Sequence, residues 1–188
     1  KNWDNRWYKT IFSPIINNRF KTQKSISTQN IAALINLELF HPKGIGITQI
    51  GGENVGWKYL KSFAKERGKN YQKHISKPEL SRKSCGRVSP YLAWGNLSVK
   101  QCFQFVGNHK NYDHNKRAFH GFLTRLKWRD HFIQKFEVEC SYETQFLNKA
   151  YDKMTFTNNP LHLELWKTGH TGFPIIDACM RCLLQTGW

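Results

Sequence analysis

Turn chemistry constrains this chain most severely in residues 166–188, which read WKTGHTGFPIIDACMRCLLQTGW. Asn159-Pro160, just ahead, is a helix-start signal, because Asn caps a first turn and Pro is tolerated at the first helical position. The helix this predicts carries Leu161, Leu165 and Trp166 inward and stops near Gly169. Gly172-Phe173-Pro174 then makes a tight corner, and Pro174 starts a second helix. Ile175, Ile176, Cys179, Met180 and Leu183 recur along that helix at the spacing of a buried stripe. On residues alone, this is a helical hairpin with a rigid elbow.

Helical signals dominate upstream as well. Residues 53–66 predict a helix, with Glu53 at its positive end, Trp57, Leu60 and Ala64 along one face, and Lys65, Arg67 and Gly68 closing it. Gly51-Gly52 with Gly56 is no phosphate loop, since no strand precedes it and the spacing is wrong. Tyr71 to Ser89 reads as a polar, basic connector. Ser89-Pro90-Tyr91-Leu92 begins a short helical turn ending near Gly95. Ser98 and Gln101 have capping-box spacing, with Val99, Cys102, Phe103 and Val106 as the buried stripe behind them. Residues 117–137 predict a long helix whose inward stripe is Phe119, Phe122, Leu126, Ile133 and Phe136. Strand signals are scarce, so the expected class is all-α.

Arg129 falls on that inward stripe. A guanidinium there must reach outward or meet an anion, because an unpaired buried charge is very costly. A structural pair with Asp130 or Asp177 and a contact with a bound anion are the two readings. Trp128 lies off the stripe beside Arg125 and Phe132, either as a half-buried aromatic or as a stacking platform for an extrahelical base.

Residues 1–50 are basic and loop-rich. Trp3, Trp7, Tyr8, Phe12 and Phe20 show no sustained period, and Ile31–Phe40 is the one apolar run. We take 1–50 as an interdomain linker and 51–188 as the helical domain. The net charge of +16, from 29 basic and 13 acidic residues, favours a polyanionic partner, nucleic acid first. At 188 residues and 39% apolar the chain can bury a sizeable core. The 14% aromatic content serves equally for core filling or for stacking on bases and flat cofactors. No apolar run approaches the roughly 20 residues of a membrane span. Five cysteines, an odd number, point to a reducing interior with free thiols, so an intracellular site, cytoplasmic or nucleoid/nuclear and not secreted, is expected. Cys179 and Cys182 form a single C-x-x-C with no second pair at zinc spacing, and buried thiols are the expectation there, with no metal. His120 and His131 lie too far apart on their helix to share one.

The pattern W-x-x-G-x-T-G-x-P-x-x-D-A-x-M-R followed by T-G-W resembles the FAD-binding domain of the DNA photolyase/cryptochrome family. RLKWRDHF, residues 125–132, resembles that family's L-x-W-R-E-F helix, and SCGRVSPYLAWGNLS, residues 84–98, resembles its T-S-x-L-S-P-x-L-x-x-G-x-x-S loop. The resemblance covers residues 51–188. It implies the N-terminal part of the family's helical FAD domain, preceded by a loop-rich linker, with an antenna domain before the chain and the C-terminal half of the flavin domain after it. FAD is then the cofactor. Cys85, Gly86, Arg87, Val88 and Ser89 would hold its phosphates, with Tyr71 against the nucleotide and Phe122 and Arg129 at the flavin. Arg125, Trp128 and Trp188 would face damaged DNA carrying a flipped pyrimidine pair.

Three departures qualify the likeness. Cys85 and Gly86 stand where hydroxyl residues are usual, so phosphate grip falls to amides, Ser89 and Ser84 or Arg87. Arg125 replaces the Glu that contacts the lesion in pyrimidine-dimer photolyases. Phe156 replaces the Trp that ends the family's electron-transfer chain. Three functions follow as expectations: FAD-dependent, blue-light-driven repair of pyrimidine dimers; a cryptochrome-like photoreceptor without repair; or a basic helical nucleic-acid-binding module without flavin.

Overall fold

A computed structural model describes residues 2–16 and 49–187. The apolar run Ile31–Phe40, most of the 1–50 linker and Trp188 lie outside the described residues. Among the described residues the elements are α-helices and 3₁₀ turns, with no strand, as the all-α expectation requires. None of these helices is long and apolar enough to cross a membrane. The described residues divide into two units, 2–16 with 51–152 and 49–50 with 153–187.

The first unit holds α1 (Asn2–Phe12), α2 (Glu53–Lys65), a 3₁₀ turn (Arg67–Asn70), α3 (Tyr71–His74), α4 (Pro78–Ser84), α5 (Ser89–Ala93), α6 (Val99–Gly107) and α7 (Lys116–Val138). Its core is aromatic. Phe63 of α2 lies 4.7 Å from Phe122 and 5.7 Å from Phe119, both on α7, and meets Tyr71 edge-on at 5.7 Å. Leu60, Tyr91, Leu97, Cys102 and Val106 complete the fully buried set. Trp57, expected on the inward face of α2, is only half-buried, and Phe63 takes the central place instead.

The capping box forms as spaced: Gln101 N donates to Ser98 Oγ at 3.0 Å, and Ser98 N donates to Gln101 Oε1 at 2.8 Å. Behind it Cys102, Phe103 and Val106 are buried. The opening residues differ from their loop-rich expectation. Trp3, Trp7 and Ile11 recur every fourth residue, and α1 buries Trp7 and Ile11 against α6, where Trp7 meets Phe103 edge-on at 5.3 Å. Gln104 Nε2 then donates to the carbonyls of Ile11 and Ser13 at 2.7 and 2.9 Å, closing the helix end. The 71–89 connector also carries helix, in α3 and α4, the latter begun by Pro78.

The inward stripe of α7 holds only for its first half. Phe119, Phe122 and Leu126 are buried, whereas Ile133 and Phe136 are 42% and 45% exposed. The helix outruns the elements that pack on it, so its period continues after its burial has ended.

In the second unit, α8 (Pro160–Thr168) and α9 (Pro174–Thr186) form the expected hairpin. Asn159 Oδ1 accepts from Leu161 N at 2.9 Å, and Gly169 closes α8 at φ +72°. A Cβ at Gly169 would sit 3.0 Å from the Asp177 carbonyl, so this end requires glycine for space as well as for sign of φ. Asp177 is buried and accepts from Thr171 N at 2.8 Å, Thr171 Oγ1 at 2.6 Å and Gly172 N at 3.0 Å. Arg181 Nη1 donates to Gly169 O at 2.9 Å. The inward stripes expected here do not form as burial. Leu161, Trp166, Ile175, Ile176 and Leu183 are exposed, and so is the Cys179 thiol, because two helices alone bury little of either stripe.

Candidate cofactor and nucleic-acid site

The segment between α4 and α5 is shaped by one cation. Arg67, just past α2, donates from Nε to Ser62 Oγ at 2.9 Å and from Nη2 to Tyr59 O at 2.9 Å. Its Nη1 reaches across to Lys83 O at 2.8 Å and Cys85 O at 2.7 Å. Burial, then the neighbouring Arg87 guanidinium, lowers the Arg67 pKa from its ordinary value. Three carbonyls and a hydroxyl satisfy the charge. Sequence reading treated Arg67 only as the closing residue of a helix, since nothing local marks a side chain that grips backbone sixteen and eighteen residues away.

Gly86 lies directly on α7. A Cβ there would approach Phe122 Cε2 to 2.7 Å, so the backbone rests on the phenyl ring in a way only glycine permits. Gly86 in place of a hydroxyl residue thus has a packing reason. Ser84 is buried, and its hydroxyl is engaged by His74 Nδ1 at 2.7 Å. Arg87 has φ +57°, a left-handed conformation rare for a non-glycine residue, and its guanidinium stands 5.6 Å from the Tyr59 ring. Among the described residues, the amides of Gly86, Val88 and Ser89 donate to no backbone or side-chain acceptor. The segment therefore holds N–H groups without a protein acceptor beside a cation, a composition suited to an anion.

Below it, the candidates Tyr71, Val88 and Phe122 are buried in the core. Burial pushes the Tyr71 phenol up to about 12 and raises the Cys85 thiol, favouring the protonated form of each. Tyr71 and Phe122 shape the floor under the loop, and Val88 of the loop itself is buried with them.

Helix α7 places Arg125, Trp128 and Arg129 within two turns. The Trp128 ring is half exposed, and the Arg125 guanidinium covers it at 4.5 Å from the ring centroid. Both line an open groove of about 300 Å³ together with Gln72, Arg117, His120 and Thr124. Gln72 packs against Gly121, a neighbour the sequence reading did not single out. Arg129 Nη1 donates to Asp130 Oδ1 at 3.3 Å and Nη2 to Leu92 O at 3.4 Å. Of the two structural partners weighed for Arg129, Asp130 is the one it has, while the Asp177 carboxylate serves its own corner. Phe156 is exposed, and Trp188 lies outside the described residues.

Residues 122–188 match the family model described as the FAD binding domain of DNA photolyase. A deoxyribodipyrimidine photo-lyase of Alkalihalophilus pseudofirmus is 31% identical over 139 residues, covering 73% of this chain and 28% of that protein. The Escherichia coli protein of the same name is 32% identical over 137 residues, 69% of this chain and 27% of that one. Cryptochrome DASH of Synechocystis is 30% identical over 143 residues, again 73% and 28%. Among solved structures, a bacterial class III photolyase from Agrobacterium tumefaciens superposes with a TM-score of 0.67 at 23% identity, over 73% of this chain and 28% of its own, which shows the fold. The chain spans under a third of the length of these relatives.

Proposed function

We propose, for a chain that carries part of the FAD-binding domain of the DNA photolyase family, that it supplies the phosphate-binding wall and the DNA-facing helix of a flavoprotein for blue-light-driven repair of pyrimidine dimers. The observation that carries this reading is the seating of segment 85–89 on α7 at Gly86 and Phe122. It sets the segment's backbone on the helix that also bears Arg125, Trp128 and Arg129, with the Arg87 guanidinium beside it over the Tyr59 ring.

The family match supports FAD as the cofactor, and the residues present suit it. The unpaired amides of Gly86, Val88 and Ser89 would meet a diphosphate, with Arg87 supplying the compensating charge. Arg129, held by two long hydrogen bonds, retains donors for an anionic edge of the cofactor. When bound, the flavin supplies the light-driven electron; the protein supplies position, charge and exclusion of water. The roles of this chain are to bind and orient. The groove beside Trp128 would receive the damaged pair, stacked on the indole once Arg125 moves aside, and the basic surface would hold the DNA backbone.

The Arg125 cover over Trp128 favours a second reading, a cryptochrome-like photoreceptor without repair, because a platform already occupied by a cation has less to offer a base. The whole protein that carries this chain, reconstituted with FAD and given irradiated oligonucleotide, separates the two. Loss of dimers under blue light, and not in the dark, is the expected result. Flavin uptake without dimer loss selects the photoreceptor. Salt-sensitive DNA binding by that whole protein without FAD uptake overturns both and leaves a basic helical module.

A further inference from the structure

The geometry points to a positioning role for Trp7: the opening helix keeps Arg129 available for an anion by holding Asp130 away from it. This rests on the reading of Arg129 as a cofactor contact. Trp7 Nε1 on α1 donates to Asp130 Oδ2 at 3.0 Å, a hydrogen bond between residues 123 positions apart. The other oxygen, Oδ1, meets Arg129 Nη1 at 3.3 Å, a long and single contact. A carboxylate and a guanidinium left to themselves form the two-pronged pair, which would occupy one whole edge of the arginine. The indole N–H turns Oδ2 toward α1, so the carboxylate meets Arg129 through Oδ1 alone.

The indole is itself held firmly. It meets Tyr8 at 5.1 Å and Phe103 at 5.3 Å, both edge-on, and stacks with Trp3 at 6.3 Å. Lys127 Nζ, 5.8 Å from the Trp7 ring, is paired with Asp4 Oδ1 at 2.9 Å. Asp130 is thus the one carboxylate on Arg129 among the described residues, and Trp7 sets how closely it can bind.

The test is titration of FAD into the full chain, followed by flavin fluorescence, for the unaltered protein, W7F, D130N and W7F/D130N, with thermal unfolding of each. W7F frees Oδ2 to close on Arg129, and the FAD dissociation constant rises about fivefold, a factor near that of one hydrogen bond. In the D130N background the same change leaves affinity within about twofold, because the competing carboxylate is gone. D130N alone, which leaves the indole packing untouched, binds FAD as tightly as the unaltered chain or more tightly. Equal weakening by W7F in both backgrounds marks a packing effect and overturns the role, as does weaker binding by D130N or an unchanged W7F. FAD uptake by the unaltered chain with no W7F effect sinks this inference alone; no uptake at all sinks it together with the flavin reading.

Discussion

The two units of this protein are built from different physics. In the first, α2, α6 and α7 bury Leu60, Phe63, Cys102, Val106 and Phe119 completely, and the elements hold one another by apolar contact. In the second, the buried residues among those described are Gly169 and Asp177, and the hairpin is set by caps, a corner and a carboxylate with three hydrogen bonds. Local turn chemistry is therefore enough to shape two helices, but it leaves their apolar stripes uncovered. Burial is what the first unit adds.

That contrast is broken most severely at Phe63. Phe63→Ala removes a ring touching three others and is expected to destabilise the first unit by about 3–5 kcal/mol, measured by chemical denaturation. Gly86→Ala comes next. Its methyl meets the Phe122 ring rather than space, so a loss of about 1–3 kcal/mol is expected in the same assay, together with weaker FAD binding. A loss of binding without a loss of stability would show that the loop yields and the ring does not.

The second unit responds to acid instead. The Thr171 hydroxyl, followed by the Thr171 and Gly172 amides, holds the Asp177 carboxyl below its ordinary range. A depressed folded pKa means stability that is complete above about pH 4 and lost as pH falls through the folded value. The Thr171 and Gly172 amide resonances should therefore shift only below the usual carboxylate range, and D177N should abolish that step. The smallest effect is expected at Ile175, 60% exposed on α9. Ile175→Ser should change the unfolding free energy of this chain by no more than about 0.5 kcal/mol; a larger loss would mean that the stripe is covered in solution.

Sequence reading succeeded where the signal was local. The Ser98–Gln101 box, the Asn159-Pro160 start, the glycine ends and the Pro174 corner each rest on residues within a few positions of one another, and each formed. Periodicity identified the face of α7 but not the extent of its cover, because a stripe states which side is apolar and not what lies against it. The helix at residues 2–12 was legible in the four-residue spacing of Trp3, Trp7 and Ile11, and polar neighbours obscured it. At the site, the nearness of Arg125 to Trp128 follows from helical spacing. The Arg67 grip, the Gly86–Phe122 contact and the Trp7–Asp130 hydrogen bond join distant segments, and no local pattern announces them.

The Arg67 fastening has a further consequence. Its guanidinium stays protonated in any solvent that keeps the protein folded, and its acceptors are amide carbonyls and one alcohol, none of which exchanges a proton in that range. The anchor itself is thus indifferent to acidity. Any pH profile seen in anion capture at residues 85–89 must originate in the captured molecule or in groups elsewhere, and not in a loosening of this anchor.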